Sequence, residues 1–131
     1  MSRTLEITVL SAENLRMNQK LMKKNAFVSV QPDSRNACTT RMDSEGGNYP
    51  SWNQKLVLDL PMHARFITTE VKCKTSMGIT SVGMAKVPLS DFLGGYVPES
   101  QLNFLSYRLW DRKSRRNGII NLSVRVKMSE N

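Results

Sequence analysis

The chain has 131 residues with nineteen Lys+Arg against eleven Asp+Glu, a net charge of +8, and 40% hydrophobic residues. That length makes one domain, 1–131, able to bury a single core, and the composition excludes a disordered chain. No run approaches the roughly eighteen apolar residues of a membrane-spanning helix, and Met1-Ser2-Arg3-Thr4-Leu5-Glu6 lacks the apolar stretch of a signal peptide, so the expected compartment is the cell interior.

The periodicity is two throughout. Leu5, Ile7 and Val9 alternate with Thr4, Glu6 and Thr8, which predicts a first strand with one buried face. Less regular runs predict strands over 26–31 and 37–42. Leu56, Leu58 and Leu60 against Lys55 and Asp59 predict the fourth, with Val57 out of pattern. Further strands fit 66–73, 82–87 and 105–110, and Ile120, Leu122, Val124 and Val126 against Asn121, Ser123, Arg125 and Lys127 close the series at eight. Pro32-Asp33-Ser34, Gly46-Gly47-Asn48-Tyr49-Pro50, Pro61-Met62-His63, Met77-Gly78, Pro98 and Asn117-Gly118 read as the turns between them. Ser90-Asp91-Phe92-Leu93 predicts one capped helical turn ended by Gly94-Gly95. The expected architecture is all-β, an eight-stranded antiparallel β-sandwich. Cys38 and Cys73 read as reduced, half-buried strand residues, and no Cys/His cluster has zinc spacing.

If the strands alternate in direction, odd-numbered loops share one end and even-numbered loops the other. Loop 1 (13–24) holds Arg16, Lys20, Lys23 and Lys24 against Glu13. Loop 3 (43–51) holds Asp43 and Glu45. Loop 5 (72–81) holds Lys72 and Lys74, and loop 7 (111–117) holds Arg112, Lys113, Arg115 and Arg116 against Asp111. The odd end nets +6 and the even end −1. Loop 1 also carries Leu21-Met22 between lysines, and loop 5 carries Met77 and Ile79 around Gly78. Cations around an apolar tip suit an anionic lipid surface, where lysines meet headgroups and apolar side chains enter the interface.

Catalytic chemistry finds no support. His63 stands alone in a loop beside Arg65, the acids are scattered, and neither a phosphate-binding Gly-rich loop nor a nucleophile elbow is present. Nucleic acid is disfavoured as well: the basic loops lack the aromatic residues on which bases stack, and no recognition helix or zinc module is available.

Pro50-Ser51-Trp52-Asn53 before the fourth strand, Gly83-Met84-Ala85-Lys86-Val87-Pro88-Leu89 in the sixth, and the opening Leu5-Glu6-Ile7-Thr8-Val9-Leu10-Ser11-Ala12-Glu13-Asn14-Leu15 resemble a C2 domain over nearly the whole chain. Ala26-Phe27-Val28-Ser29-Val30 is similar too. More narrowly, Leu102-Asn103-Phe104-Leu105-Ser106-Tyr107-Arg108-Leu109 and Asn117-Gly118-Ile119-Ile120-Asn121-Leu122-Ser123-Val124 look like the small plant C2 proteins that associate with the copine BONZAI.

The resemblance implies type II topology, with the four odd loops at the membrane-facing end. In calcium-binding members, aspartates of loops 1 and 5 chelate Ca²⁺. The matching positions here are Asn18, Asn25, Cys73, Thr75 and Thr80 or Ser81, with Asp43 an isolated remnant in loop 3 and Lys72 and Lys74 bringing like charge. No metal and no cofactor is expected. Concave-face lysines that hold phosphoinositides in some members fall near Ser29, Gln31, Cys38 and Thr40, where only Arg41 is basic, so lipid contact is expected from the loops.

The expected function is a Ca²⁺-independent adaptor, peripheral at the inner face of the plasma membrane. Lys20, Lys23, Lys24, Lys72, Lys74, Arg112, Lys113, Arg115 and Arg116 would meet anionic phospholipid, with Leu21, Met22, Met77 and Ile79 as wedges. The resemblance alone implies a copine-type C2 partner and a part in plant cell-death and defence regulation. The alternative is a protein-interaction module whose basic end meets a copine or another acidic partner, with little lipid binding.

Overall fold

The computed structural model describes residues 2–17, 20–21, 25–33, 35–94 and 100–129, with the backbone alone at 2, 20, 21 and 129. Ten strands run in the order β1 (Ser2–Glu13), β2 (Arg16–Met17), β3 (Lys20–Leu21), β4 (Ala26–Pro32), β5 (Cys38–Thr39), β6 (Ser51–Leu60), β7 (Phe66–Thr75), β8 (Gly78–Pro88), β9 (Asn103–Trp110) and β10 (Arg116–Ser129). Eight of them join in the order β5-β4-β7-β8-β9-β10-β1-β6, every pair antiparallel. β8 and β9 share only the bridge between Met84 and Trp110, so that seam divides the sheet into two four-stranded halves.

The two halves face each other through their alternating apolar residues. Leu5, Ile7 and Val9 of β1 and Leu122, Val124 and Val126 of β10 join Val28 and Val30 of β4, Ile67 and Val71 of β7 and Val87 of β8 in one buried cluster. Trp52 lies in the same core and donates its indole N–H to the Ala26 carbonyl at 3.0 Å. Buried Thr69 satisfies its hydroxyl on the Ala85 carbonyl at 3.2 Å, as burial of a polar group requires. Cys73 is buried and Cys38 half-buried, and neither forms a disulfide.

Hydrogen bonds sort the connections into two poles. Leu15 N donates to Asn48 O, Asn25 N to Asp43 O and Lys74 N to Asn25 O, which ties loops 1, 3 and 5 together. Arg16 N donates to the Asn117 side chain and adds loop 7 to them. At the far pole Leu89 N reaches Arg65 O, Arg65 N reaches the Asp33 carboxylate, and the Arg3 guanidinium reaches Pro61 O. The paired ends of β1 and β10 lie at this far pole. That leaves all four odd loops together at the other, the type II arrangement.

Four local expectations are corrected. The strand expected over 37–42 shrinks to Cys38–Thr39, because the Thr40 hydroxyl takes the Val28 N–H and the Gln54 side chain takes the Arg41 N–H where a ladder would continue. The loop expected over 13–24 is partly strand: β1 runs to Glu13, and Arg16 and Met17 pair with Leu21 and Lys20 in a small hairpin. The helical turn is one 3₁₀ turn over Leu89–Asp91, with Phe92 N on Leu89 O and no side-chain cap from Ser90, because buried Leu89 starts it one residue early. Asn117-Gly118 is not a turn but a bulge inside β10, where the register steps between Arg116 and Ile119. Gly95 and Pro98 lie outside the described residues.

The bulge is a close junction between strands. Gly118 has φ +80°, and a Cβ there would collide with the Glu13 carbonyl oxygen. Its neighbour Asn117 is buried and turns its amide inward: Oδ1 accepts Arg16 N at 2.8 Å, while Nδ2 donates to Arg16 O at 2.8 Å and to Val82 O at 2.7 Å. One side chain thus stands in for a strand partner to Arg16, 101 residues away.

Asn117→Asp, nearly isosteric, should lower stability by about 3 kcal/mol, because the buried Val82 bond and the part-buried Arg16 bond lose their donor and the two carbonyls meet an acceptor. Urea denaturation reads this, and a loss under about 1 kcal/mol would remove Asn117 as the junction. Trp52→Phe should cost about 2 kcal/mol on the same assay, from lost volume and an unpaired Ala26 carbonyl.

Candidate functional site

The loop pole is held by side chains that the backbone itself consumes. In loop 7, Asp111 Oδ1 accepts the Lys113 and Arg115 N–H groups, both at 2.9 Å, and Oδ2 accepts Arg115 Nε at 3.0 Å. The Arg115 N–H, ahead of the opposing effect of burial, holds the Asp111 carboxyl below its ordinary pKa. Ser114 takes φ +60° to close the turn. Loop 7 is therefore fixed, and Arg115 is committed to Asp111. Arg112, Lys113 and Arg116 are exposed and have no carboxylate within ion-pair distance among the described residues.

Loop 5 reduces to the tight β7–β8 hairpin. The Thr75 hydroxyl accepts Met77 N at 3.2 Å and donates to Gly78 O at 3.1 Å, so the tip is braced from within. Gly78 holds φ +120°, outside the usual range of a side-chain-bearing residue. The brace leaves Met77 96% and Ile79 60% exposed, an apolar point beside exposed Lys74. Lys72 differs: its Nζ lies 3.8 Å from Glu70 on the outward face of β7, away from the tip.

Loop 1 contributes Arg16, exposed, with its backbone fixed by Asn117. Lys20 and Leu21 are placed by their backbone in β3; Met22, Lys23 and Lys24 lie outside the described residues. Between loop 1, the start of β8 and loop 7 a cleft of about 380 Å³ opens, lined by Arg16, Thr80, Ser81, Arg112 and Arg116 with Asn117. Sequence reasoning counted Arg16 in the charge of loop 1 and set Thr80 or Ser81 at a calcium-ligand position, but did not bring the three together with Arg112 and Arg116. A shallower groove of about 570 Å³ runs along the β8–β9 seam between Met84, Lys86, Trp110 and Arg112. Arg112 borders both.

Among the described residues the donor set does not fit Ca²⁺. Asn18 lies outside the described residues, Cys73 is buried, and the Thr75 hydroxyl is spent on its own turn. Asp43 is occupied as well: Oδ1 accepts the Glu45 and Gly46 N–H groups at 2.9 and 3.1 Å, and Oδ2 accepts Ser51 N at 2.8 Å. Burial pushes its carboxyl up, but those three backbone donors outweigh it and hold the group below the ordinary pKa. Asp43 is the organiser of loop 3. Among the described residues no three His, Cys, Asp or Glu side chains stand together as a metal group, whereas Ca²⁺ asks for six to eight oxygens, several of them anionic.

On the outer face of β4 and its neighbours, Ser29 and Thr40 are buried, and the Arg41 guanidinium is turned onto the Trp52 carbonyl at 2.6 Å. His63 is exposed at the far pole. No helix among the described residues is long and apolar enough to cross a membrane.

Residues 3–109 match the C2 domain family. The chain is 41% identical to BON1-associated protein 2 of Arabidopsis thaliana over 98% of its own length and 64% of that protein's. It is 24% identical to Protein SRC2 of Glycine max over 94% of its length and 46% of that protein's. It therefore spans less than two thirds of either relative. The fold superposes on a C2 domain of plant Extended Synaptotagmin 1 with a TM-score of 0.81 at 14% identity, over 98% of this chain and 96% of that one. It also superposes on human GIVD cytosolic phospholipase A2 with a TM-score of 0.77 at 14% identity, over 100% of this chain but only 18% of the enzyme. With the family model matched over residues 3–109 and 41% identity across nearly the whole chain to BON1-associated protein 2, the chain belongs to the C2 domain family.

Proposed function

We propose that this C2 domain is a Ca²⁺-independent adaptor that docks on the anionic inner face of the plasma membrane through its odd-loop pole. The observation that supports this is the junction of loops 1 and 7 with the start of β8, which brings Arg16, Arg112, Lys113 and Arg116 to one cleft, on the pole whose β7–β8 hairpin carries exposed Lys74, Met77 and Ile79. By sequence, loop 1 would add the charges of Lys20, Lys23 and Lys24 and the apolar side chains of Leu21 and Met22. Cations act here as a metal does elsewhere, except that they are permanent. Each is worth about 1 kcal/mol near an anionic surface and fades within a Debye length of roughly 8 Å at physiological salt. Arg115 and Lys72 contribute less, being partnered by Asp111 and Glu70.

A second reading is supported by the relative's name, BON1-associated protein 2, and by the apolar groove beside Arg112, where Trp110 and Met84 are partly exposed. In it the same pole meets an acidic protein surface, such as that of a copine-type C2 protein, within the regulation of plant cell death and defence. Lipid is then incidental.

Liposome flotation tests the first reading. The protein should float with phosphatidylserine vesicles, not with neutral ones, equally in calcium and in chelator. Replacing Arg112, Lys113 and Arg116 together by Gln should weaken binding about a hundredfold. Calcium-dependent flotation, or equal flotation on neutral vesicles, would overturn it. Met77→Asp should leave the melting temperature unchanged, because Met77 is 96% exposed, and lower vesicle affinity about tenfold. No loss in that variant would restrict docking to charge alone.

A further inference from the structure

Loop 7 carries one group that the docking surface does not use. Ser114 stands at its tip between Arg112-Lys113 and Arg115-Arg116, and all five residues are exposed. Each of the four cations lines the cleft at this pole, whereas Ser114 does not. The Ser114 N–H closes the turn on the Asp111 carbonyl at 3.0 Å, but the hydroxyl has no hydrogen-bond partner among the described residues. The turn itself has no need of serine. At φ +60° its backbone is left-handed, a conformation that glycine and asparagine take more readily. A hydroxyl oxygen therefore sits outward and unused, flanked in the chain by four positive charges.

The other exposed loop serines have a different setting. Ser44, Ser90 and Ser100 each adjoin an acid in sequence, and Ser76 has a single lysine within two residues. Cations on both sides of Ser114 complement an enzyme cleft lined with carboxylates, which would reject the acid-flanked serines. Such a cleft takes its peptide as an opened segment, and local opening costs least where no side chain is buried. No side chain from Arg112 to Arg116 is buried, and the turn is held by bonds to Asp111.

We infer that Ser114 is a phosphorylation site for a serine kinase that selects basic sequences, and that its phosphate releases the domain from anionic membrane. Ser114 Oγ attacks the γ-phosphorus of ATP, and the new O–P bond forms as the bond to the β–γ bridging oxygen breaks. ADP leaves with that oxygen and its electron pair, and the hydroxyl proton passes to the kinase's catalytic carboxylate. Loop 7 nets +3 as it stands and falls to about +1 with a phosphate of nearly two negative charges. The neighbouring guanidinium groups match the phosphate oxygens, so they are drawn from lipid headgroups onto their own loop. The release rests on the membrane docking proposed above; the modification site does not.

Treatment of the full chain with ATP and the catalytic domain of protein kinase C, followed by fragmentation mass spectrometry, should place a phosphate on Ser114. Ser114→Asn keeps a residue suited to left-handed backbone, so its melting temperature should match the parent while phosphate incorporation falls about tenfold or more. On phosphatidylserine vesicles the phosphorylated chain should bind about thirtyfold more weakly than the unmodified one. Two single-charge variants separate a local effect from a change in net charge. Ser114→Asp should weaken vesicle binding about fivefold, and Met62→Asp, at the far pole on an exposed side chain, less than about twofold.

No phosphate on the parent chain, or equal incorporation by parent and Ser114→Asn, would overturn the site. Phosphate on Ser114 with flotation unchanged would overturn the release and leave the docking standing, as would equal losses in Ser114→Asp and Met62→Asp. An unmodified chain that fails to float would overturn docking and release together, and the mass spectrum then decides the site by itself.

Discussion

Three hydrogen bonds from one amide decide the geometry of the loop pole. Asn117 presents an acceptor and two donors to Arg16 N, Arg16 O and Val82 O, and Gly118 beside it removes the Cβ that would keep β1's end away. In a sandwich, loops at one pole need not touch, since each is anchored only to its own strands. Here they do touch. The amide replaces a missing rung of sheet between strands that never pair, and it does so in a buried setting where such bonds are costly to leave unmade. The placement of Arg16 opposite Arg112 and Arg116 follows from that junction.

Acceptor side chains at this pole are turned onto the main chain rather than outward. Asp43, Asp111 and Thr75 look from their residue types like candidates for metal or ligand, yet each is consumed in fixing its own loop. Their acidic or hydroxyl oxygens point at backbone N–H groups, and the carboxyls of Asp43 and Asp111 are kept ionised by doing so. The cations Arg16, Lys74, Arg112, Lys113 and Arg116 and the Met77–Ile79 tip stand outward, beside the exposed acids Glu13 and Glu45. The division is physical: anions stabilise turns by accepting from the main chain, and cations, which cannot accept, are left to face solvent.

Period-two alternation made the strands legible from the residues, since Leu5, Ile7, Val9 and Leu122, Val124, Val126 must share a face whatever the register. The sorting of loops into two poles was legible as well, because antiparallel strands leave no other choice. The exposure of Met77 and Ile79 followed from a two-residue hairpin. What stayed hidden has a common cause in side chains that imitate backbone. Thr40 and Gln54 complete a ladder where a longer third strand seemed required. Asn-Gly favours left-handed backbone in a turn and in a bulge equally, so Asn117-Gly118 read as a turn. The β2–β3 pair is too short to carry any period. Arg16 and Thr80 or Ser81 were visible in the sequence, but their meeting with Arg112 and Arg116 was hidden by distance along the chain, which no local pattern spans.

The pinning of loop 7 by Asp111 has a kinetic side. A segment already set in its final shape surrenders little freedom when it meets a partner, so the encounter need not wait for rearrangement. Arrival then becomes the slow event, and arrival is governed by the long-range field of the whole positive pole. Dissolved salt would therefore act mainly on how often the domain lands, whereas the time it stays would be governed by the short-range contacts made after landing.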